Sequence, residues 1–205
     1  MGLFDFLVGP SKDEVWSRVA TDLGTDYIDG GFFSKDEVRY QFDDWEILLD
    51  TFTRSSKSTN GHSSFSTYTR MQAPFVNPTN FDFNIYRESI FSPLGKWLGM
   101  QDIKIGDTFF DNDYIIKSNN PNLIKEVLTQ NIRELIRIQP NIHFEIQEGG
   151  SFFCNLPEGV DILYFEAYGV IKDEHKLKLL FELFMDTLKQ LHSLGISQGQ
   201  TSHSL

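Results

Sequence analysis

Apolar residues recur along this chain with two different periods. Val15, Trp16, Val19, Ala20 and Leu23 sit at helical spacing, behind a Ser11-Lys12-Asp13-Glu14 capping box in which the Ser hydroxyl and the Glu side chain satisfy each other's backbone amides. Gly24 follows as a helix-ending glycine. The spacing predicts a helix over about 12–23. After Val38 the period changes to two. Val38, Tyr40 and Phe42 alternate with polar residues, then Trp45, Ile47 and Leu49 do so on the other parity. A two-residue loop at Asp43-Asp44 accounts for the shift. It sets Phe42 opposite Trp45, Tyr40 opposite Ile47 and Val38 opposite Leu49 on one sheet face. The polar run 54–64, with Asn60-Gly61, reads as a long hairpin loop. Alternation resumes at Phe65 to Met71 and again at Phe81 to Ile85.

The second half mixes the two periods. A short helix is expected over 91–98 and a strand over Tyr114 to Ser118. Asn120-Pro121 supplies a helix cap and a Pro at the first helical position. Leu123, Ile124, Val127, Leu128, Ile132, Leu135 and Ile136 then form one apolar stripe, predicting a single helix that ends near Ile138, ahead of Pro140. Strands are expected at 142–147, 152–155 and 162–170, the first two joined at Gly149-Gly150. A last helix starts near Asp173, carries Leu177, Leu180, Phe181, Phe184, Leu188 and Leu191, and ends at Gly195. The pattern predicts an α+β fold: a mostly antiparallel meander, two amphipathic helices on one face and a short N-terminal helix. The expected organisation is an N-terminal segment 1–10, one domain over 11–195 with a possible division near 89–101, and a disordered tail at 196–205. The pentapeptide Ser-Lys-Asp-Glu-Val occurs at 11–15 and again at 34–38. The flanks differ in period, so this is coincidence rather than a structural repeat.

Composition narrows the functional classes. With 205 residues, 40% hydrophobic and 14% aromatic, the chain can bury a substantial core without disulfides. Its one cysteine, Cys154, on a predicted strand, fits an inert buried thiol in a reducing, cytoplasmic compartment. No apolar stretch is long enough for a spanning helix. Eighteen basic residues against 29 acidic give a net charge of −11, which opposes binding to nucleic acid or anionic lipid and favours a protein partner with a basic surface.

Candidate chemistry is sparse. Asp102, Asp107, Asp111 and Asp113 form the densest acidic run, offset by Lys104. Hard cations such as Ca²⁺ or Mg²⁺ prefer several carboxylate oxygens together, so these four are the candidate metal ligands. A solvated loop whose Asp side chains close turns explains the same residues. The five histidines, His143 among them, show no HExxH spacing and read as surface or capping residues. No nucleophile elbow, phosphate loop or dinucleotide fingerprint occurs. Arg39, Arg54, Arg70 and Arg87 recur along the meander. They could grip an anion from the polar sheet face, or pair across strands with Glu46, Asp50 and Asp82.

The run Phe110-Asp111-Asn112-Asp113-Tyr114-Ile115-Ile116-Lys117-Ser118-Asn119, with the helix after it through Leu128-Thr129, resembles a module in bacterial proteins of unknown function. The resemblance spans roughly 101–194. It implies a strand with a Phe-Asp start, a helix, a small antiparallel hairpin and a closing helix, and brings no activity with it. The resulting reading is a non-enzymatic binding or accessory module that recognises a protein partner and needs no cofactor. The alternative is a metal-dependent or acid–base enzyme using the Asp102–Asp113 loop.

Overall fold

The structure, a computed structural model, describes residues 9–31, 36–57, 63–87, 97, 100–139, 141–149 and 156–198. Helix α1 (Lys12–Leu23) begins at the expected capping box and ends at Gly24, which takes the left-handed conformation (φ 73°) that a non-glycine residue would adopt only with strain. Strands β1 (Tyr27–Ile28), β2 (Glu37–Phe42), β3 (Trp45–Lys57) and β4 (Ser63–Val76) follow, then β5 (Phe83–Arg87), the short α2 (Thr108–Asp113), β6 (Tyr114–Ser118), α3 (Pro121–Val127), α4 (Gln130–Ile138), β7 (His143–Glu148), β8 (Val160–Tyr168) and α5 (Glu174–Ser193). Among the described residues, eight strands join one sheet in the order β1-β2-β3-β4-β8-β7-β5-β6, and their ladders are antiparallel. The β2–β3 register is the expected one, with Phe42 opposite Trp45, Tyr40 opposite Ile47 and Val38 opposite Leu49. Asp43, at the turn, adopts φ 48°, a region Asp tolerates better than most residues.

Period-two alternation sends Ile47, Leu49, Met71, Ala73, Leu163, Phe165, Phe144 and Ile85 to the face covered by helices. There they join Trp16 and Val19 of α1, Ile124 of α3, Leu135 of α4 and Phe181 and Phe184 of α5 in one buried cluster. Trp16 also ties its helix to the chain end of the sheet, its indole N–H donating to the Ile171 carbonyl at 3.1 Å. No described helix is long and apolar enough to cross a membrane.

Four features differ from expectation. The helix predicted over 121–138 is two. Leu128 leaves helical geometry (φ −80°, ψ 65°) and Thr129 restarts it, its hydroxyl accepting from the Ile132 amide. The apolar stripe is unaffected, because Val127, Leu128, Ile132 and Leu135 stay buried across the break. The hairpin loop is shorter than 54–64, since β3 runs to Lys57 and β4 starts at Ser63. Small hydroxyl residues pair there as well as larger ones do, and Ser56 and Ser64 share a hydrogen bond of 2.6 Å. Phe110-Asp111 lies within α2 rather than at a strand start. The tail expected from 196 is docked at its base: Ile196 and Ser197 are buried, and the Gln198 amide donates to the Val76 carbonyl at 3.0 Å. The strand expected at 152–155 with Cys154, residues 199–205, and all but Trp97 of the helix expected over 91–98 lie outside the described residues.

Candidate functional site

The sheet face turned away from the helices carries the charged residues. One row across five strands reads Asp50 on β3, Arg70 on β4, Glu166 on β8, His143 on β7 and Tyr86 on β5, each opposite the next. The adjoining row reads Leu48, Gln72, Tyr164, Glu145, Asn84 and Lys117. Register alone therefore brings together groups far apart in the chain. Most are nearly as inaccessible as the core: Asp50 is 2% exposed, Glu166 7% and Glu145 9%.

These charges are arranged in pairs. Arg70 grips Asp50 through two bonds of 2.8 and 2.5 Å, and Arg54 grips Glu166 through two of 2.9 and 2.6 Å. The planar guanidinium matches both oxygens of a carboxylate, which fixes geometry as well as charge. Tyr164 donates its hydroxyl to Glu166 at 2.8 Å. His143 lies between two carboxylates, Nδ1 at 3.6 Å from Glu166 and Nε2 at 3.4 Å from Glu145. Asn84 and Gln147 donate to Glu145, each at 2.6 Å.

The protonation states follow from these contacts. Burial on its own disfavours the imidazolium of His143. Hydrogen bonds to Glu145 and Glu166, and their charges, outweigh it and raise the pKa to about 9. Burial would likewise raise the Glu166 carboxyl, but the hydrogen bonds from His143 and Tyr164 and the nearby positive charges hold it below the ordinary carboxylate range. Burial, with Glu166 beside it, pushes the Tyr164 phenol far up, so it stays a donor. The two carboxylates favour the imidazolium, so that three cations (Arg54, Arg70, His143) face three carboxylates (Asp50, Glu145, Glu166); His143 Nε2 also lies 3.1 Å from the Asn84 side-chain nitrogen. Two acceptors in the neighbouring row, Gln72 Oε1 and Asn84 Oδ1, are buried without a hydrogen-bond partner among the described residues.

Beyond the charged rows the face turns aromatic. Phe52 stacks on Tyr68 at 5.3 Å between ring centres, and Tyr168 meets Tyr68 edge-on at 5.6 Å. The Arg54 guanidinium lies 5.1 Å above the Phe52 ring and 4.9 Å above that of Tyr68. Tyr168 is 66% exposed.

The four candidate metal ligands are placed separately. Asp102 pairs with Lys117 at 2.6 Å, beside a shallow hollow of about 390 Å³ that also touches Lys104 and Lys125. Asp107 caps α2 and holds Arg133 and Arg137 at 3.0 and 2.9 Å. The Phe110 amide, with those two arginines, draws its carboxyl below the ordinary range. Asp111 accepts from the amides of Ile105 and Gly106, both at 3.0 Å. Asp113 ends α2, exposed. Among the described residues no group of three or more His, Cys, Asp or Glu side chains is placed to hold a metal ion. Of the four, Asp107 and Asp111 accept backbone amides and so close turns or cap a helix.

Of the arginines, Arg39 pairs with Glu37 and Glu46, and Arg70 with Asp50, largely the cross-strand pairing expected. Arg87 instead donates to the Tyr114 hydroxyl at 3.2 Å. The residue that sequence reasoning missed is His143. Its signal was the shared parity of His143, Glu145 and Gln147; the partner Glu166 carried none, because only sheet register brings it close.

No family model matches this chain, and no curated protein matches it. Among solved structures it is similar to the mycobacterial trehalose monomycolate transport factor A, at a TM-score of 0.43 and 12% identity, over 87% of this chain and 95% of that one. A likeness at that level carries no argument about function.

Proposed function

We propose that this chain is a binding or accessory module that engages a protein with a basic surface, acts in the cytoplasm and needs no cofactor. The observation that supports this reading is where the unpaired negative charge lies. Asp43 and Asp44, in the β2–β3 turn, and Glu148 and Glu158, beside the β7–β8 connection, are exposed. The register of β3, β4, β8 and β7 puts them at the same end of the sheet. None of the four has an ion-pair partner among the described residues, whereas the buried carboxylates of the sheet face are already matched by cations. A patch of this kind steers and orients a cationic partner, and salt weakens its pull.

The test is capture of partners on the immobilised full chain, compared with a variant in which Asp43, Asp44, Glu148 and Glu158 are all changed to Lys. The reading expects a basic protein that is retained by the native chain at low salt, released by added salt and absent from the variant. Equal capture by the folded variant, or capture indifferent to salt, overturns it.

A further inference from the structure

Strands β3 and β4 are longer than their neighbours. The last β2–β3 rung is Glu37 with Asp50, and the last β4–β8 rung is Thr69 with Ala167. The β3–β4 ladder continues from Thr51–Thr69 to Lys57–Ser63. Residues 51–57 and 63–68 thus form a two-stranded arm that leaves the sheet. Seven strand residues reach about 23 Å. A ribbon of two strands is marginal in water without a further partner.

The arm's two edges are not equivalent. The β4 edge is closed at its base, where the Gly169 amide donates to the Thr67 carbonyl at 2.8 Å and Gly169 bridges Tyr68. The β3 edge beyond Asp50 has no strand partner among the described residues. An unpaired strand edge is a template for another strand unless charge or shape guards it. Of the two charged residues on this stretch, Arg54 and Lys57, the central one is disarmed: both terminal nitrogens of Arg54 are bound to Glu166, and the guanidinium lies over the sheet's own aromatic rings. Thr53 and Ser55, the small residues on either side of it, are exposed.

The distribution of charge names the occupant. No Asp or Glu occurs from Thr51 to Phe81, so all 29 acidic residues lie elsewhere in this chain of net charge −11. Two copies repel one another wherever their acidic surfaces meet. The arm is where a second copy approaches without meeting a carboxylate side chain of its own stretch.

We propose that two copies of this chain associate through the outer edge of β3, residues 51–57 of one running antiparallel to residues 51–57 of the other. Such pairing is self-complementary about a two-fold axis and continues the sheet from one copy into the next. Because the copies share the sign of their charge, added salt strengthens this contact, the reverse of its effect on a basic partner.

Sedimentation of the full chain tests it over roughly 1–500 μM, the span of weak association constants. The expected result is a monomer–dimer equilibrium that shifts to dimer with salt. Thr53→Glu with Ser55→Glu puts like charges face to face across the axis and weakens the dimer by about tenfold or more; Thr53→Lys with Ser55→Lys does the same. An equimolar mixture of the two variants regains the dimer. Wild-type protein that stays monomeric throughout, or dimers that persist unchanged in both variants, overturns the proposal. So does dimerisation of wild type alone with no recovery in the mixture, which would point to a different face. Should a variant misfold, hydrogen exchange on wild type decides: amides at 53–57 gain protection with protein concentration if the edge pairs, and a concentration-independent rate there refutes it.

Discussion

Both faces of the sheet bury side chains in its central strands, but one by apolar volume and the other by matched charge. On the helix side, Phe144, Phe165, Phe181 and Phe184 pack with exposures of 0%, and what counts is shape and size. On the opposite side, Asp50, Glu166 and Glu145 are nearly as hidden, and what counts is that each finds its partner. The apolar face would tolerate a swap of one hydrocarbon for another of similar volume. The charged face would not tolerate a slip of register. Moving β8 by one residue against β4 separates Arg70 from Glu166's row and sends Glu166 toward the helices. The hydrophobic side thus supplies most of the stabilisation, and the charged side narrows the choice of strand alignment.

The largest test of that contrast is on the apolar side. Phe144→Ala should cost about 3–5 kcal/mol, from lost transfer energy plus a cavity, and denaturant titrations should give the same loss at pH 6 and pH 10. A loss that varied strongly with pH would mean the two faces are energetically entangled.

The charged side should behave in the opposite manner. His143 has a folded pKa of about 9 against an ordinary value of 6.5, so the folded chain holds its proton more tightly than the unfolded chain does. The resulting stabilisation, on the order of 3 kcal/mol, is fully present below about pH 6.5 and is lost as pH rises through about 9. Unfolding free energies from pH 6 to 10 should trace this fall, and Glu166→Gln should flatten it while lowering the imidazole pKa seen by NMR. A wild-type profile that is flat over this range would show that His143 keeps its ordinary pKa in the folded protein.

A smaller effect separates the two halves of the broken helix. Thr129→Ala removes the hydroxyl that caps α4 and should cost about 1 kcal/mol, whereas Thr129→Ser should cost nearly nothing. Equal losses in both would indicate that the methyl group, not the cap, matters.

The smallest effect belongs to the acidic loop. Changing Asp111 and Asp113 to Asn leaves one acceptor on each side chain and should shift stability by about 1 kcal/mol or less. Melts with millimolar Ca²⁺ or Mg²⁺ should match those with chelator, because the carboxylates of Asp102, Asp107 and Asp111 already hold Lys117, two arginines and two backbone amides. A cation-dependent rise in midpoint that vanished in the double variant would show these residues to be metal ligands.

The particulars show which information was local. Alternation around Asp43-Asp44 contained the β2–β3 register, because a two-residue turn leaves one way to align the apolar sides. The helix break at Leu128 was hidden by an apolar stripe that runs straight through it, although Thr129 is of a residue type favoured at a helix N-cap, a signal that period counting passes over. The docked base of the tail was masked by composition: Ser197 and Gln198 are polar, yet Ile196 is fully buried beside them. The charged face was least legible. His143 and Glu166 lie on strands whose connection spans residues 149–159, and Arg54 meets Glu166 across 112 positions. No window of sequence contains such a pair, and only the assembled sheet does.

The strand order carries a consequence for how the chain is made. β8, near the end of the sequence, is the strand that sits between β4 and β7 and joins the first four strands to the other three. During synthesis, β1 to β4 can pair with one another long before β8 leaves the ribosome. In that interval the inner edge of β4, with Met71, Ala73 and Phe75 along it, waits without its neighbour. Contacts of such wide sequence separation form late and slowly, so nascent chains shorter than about residue 170 should be the species most in need of chaperone protection.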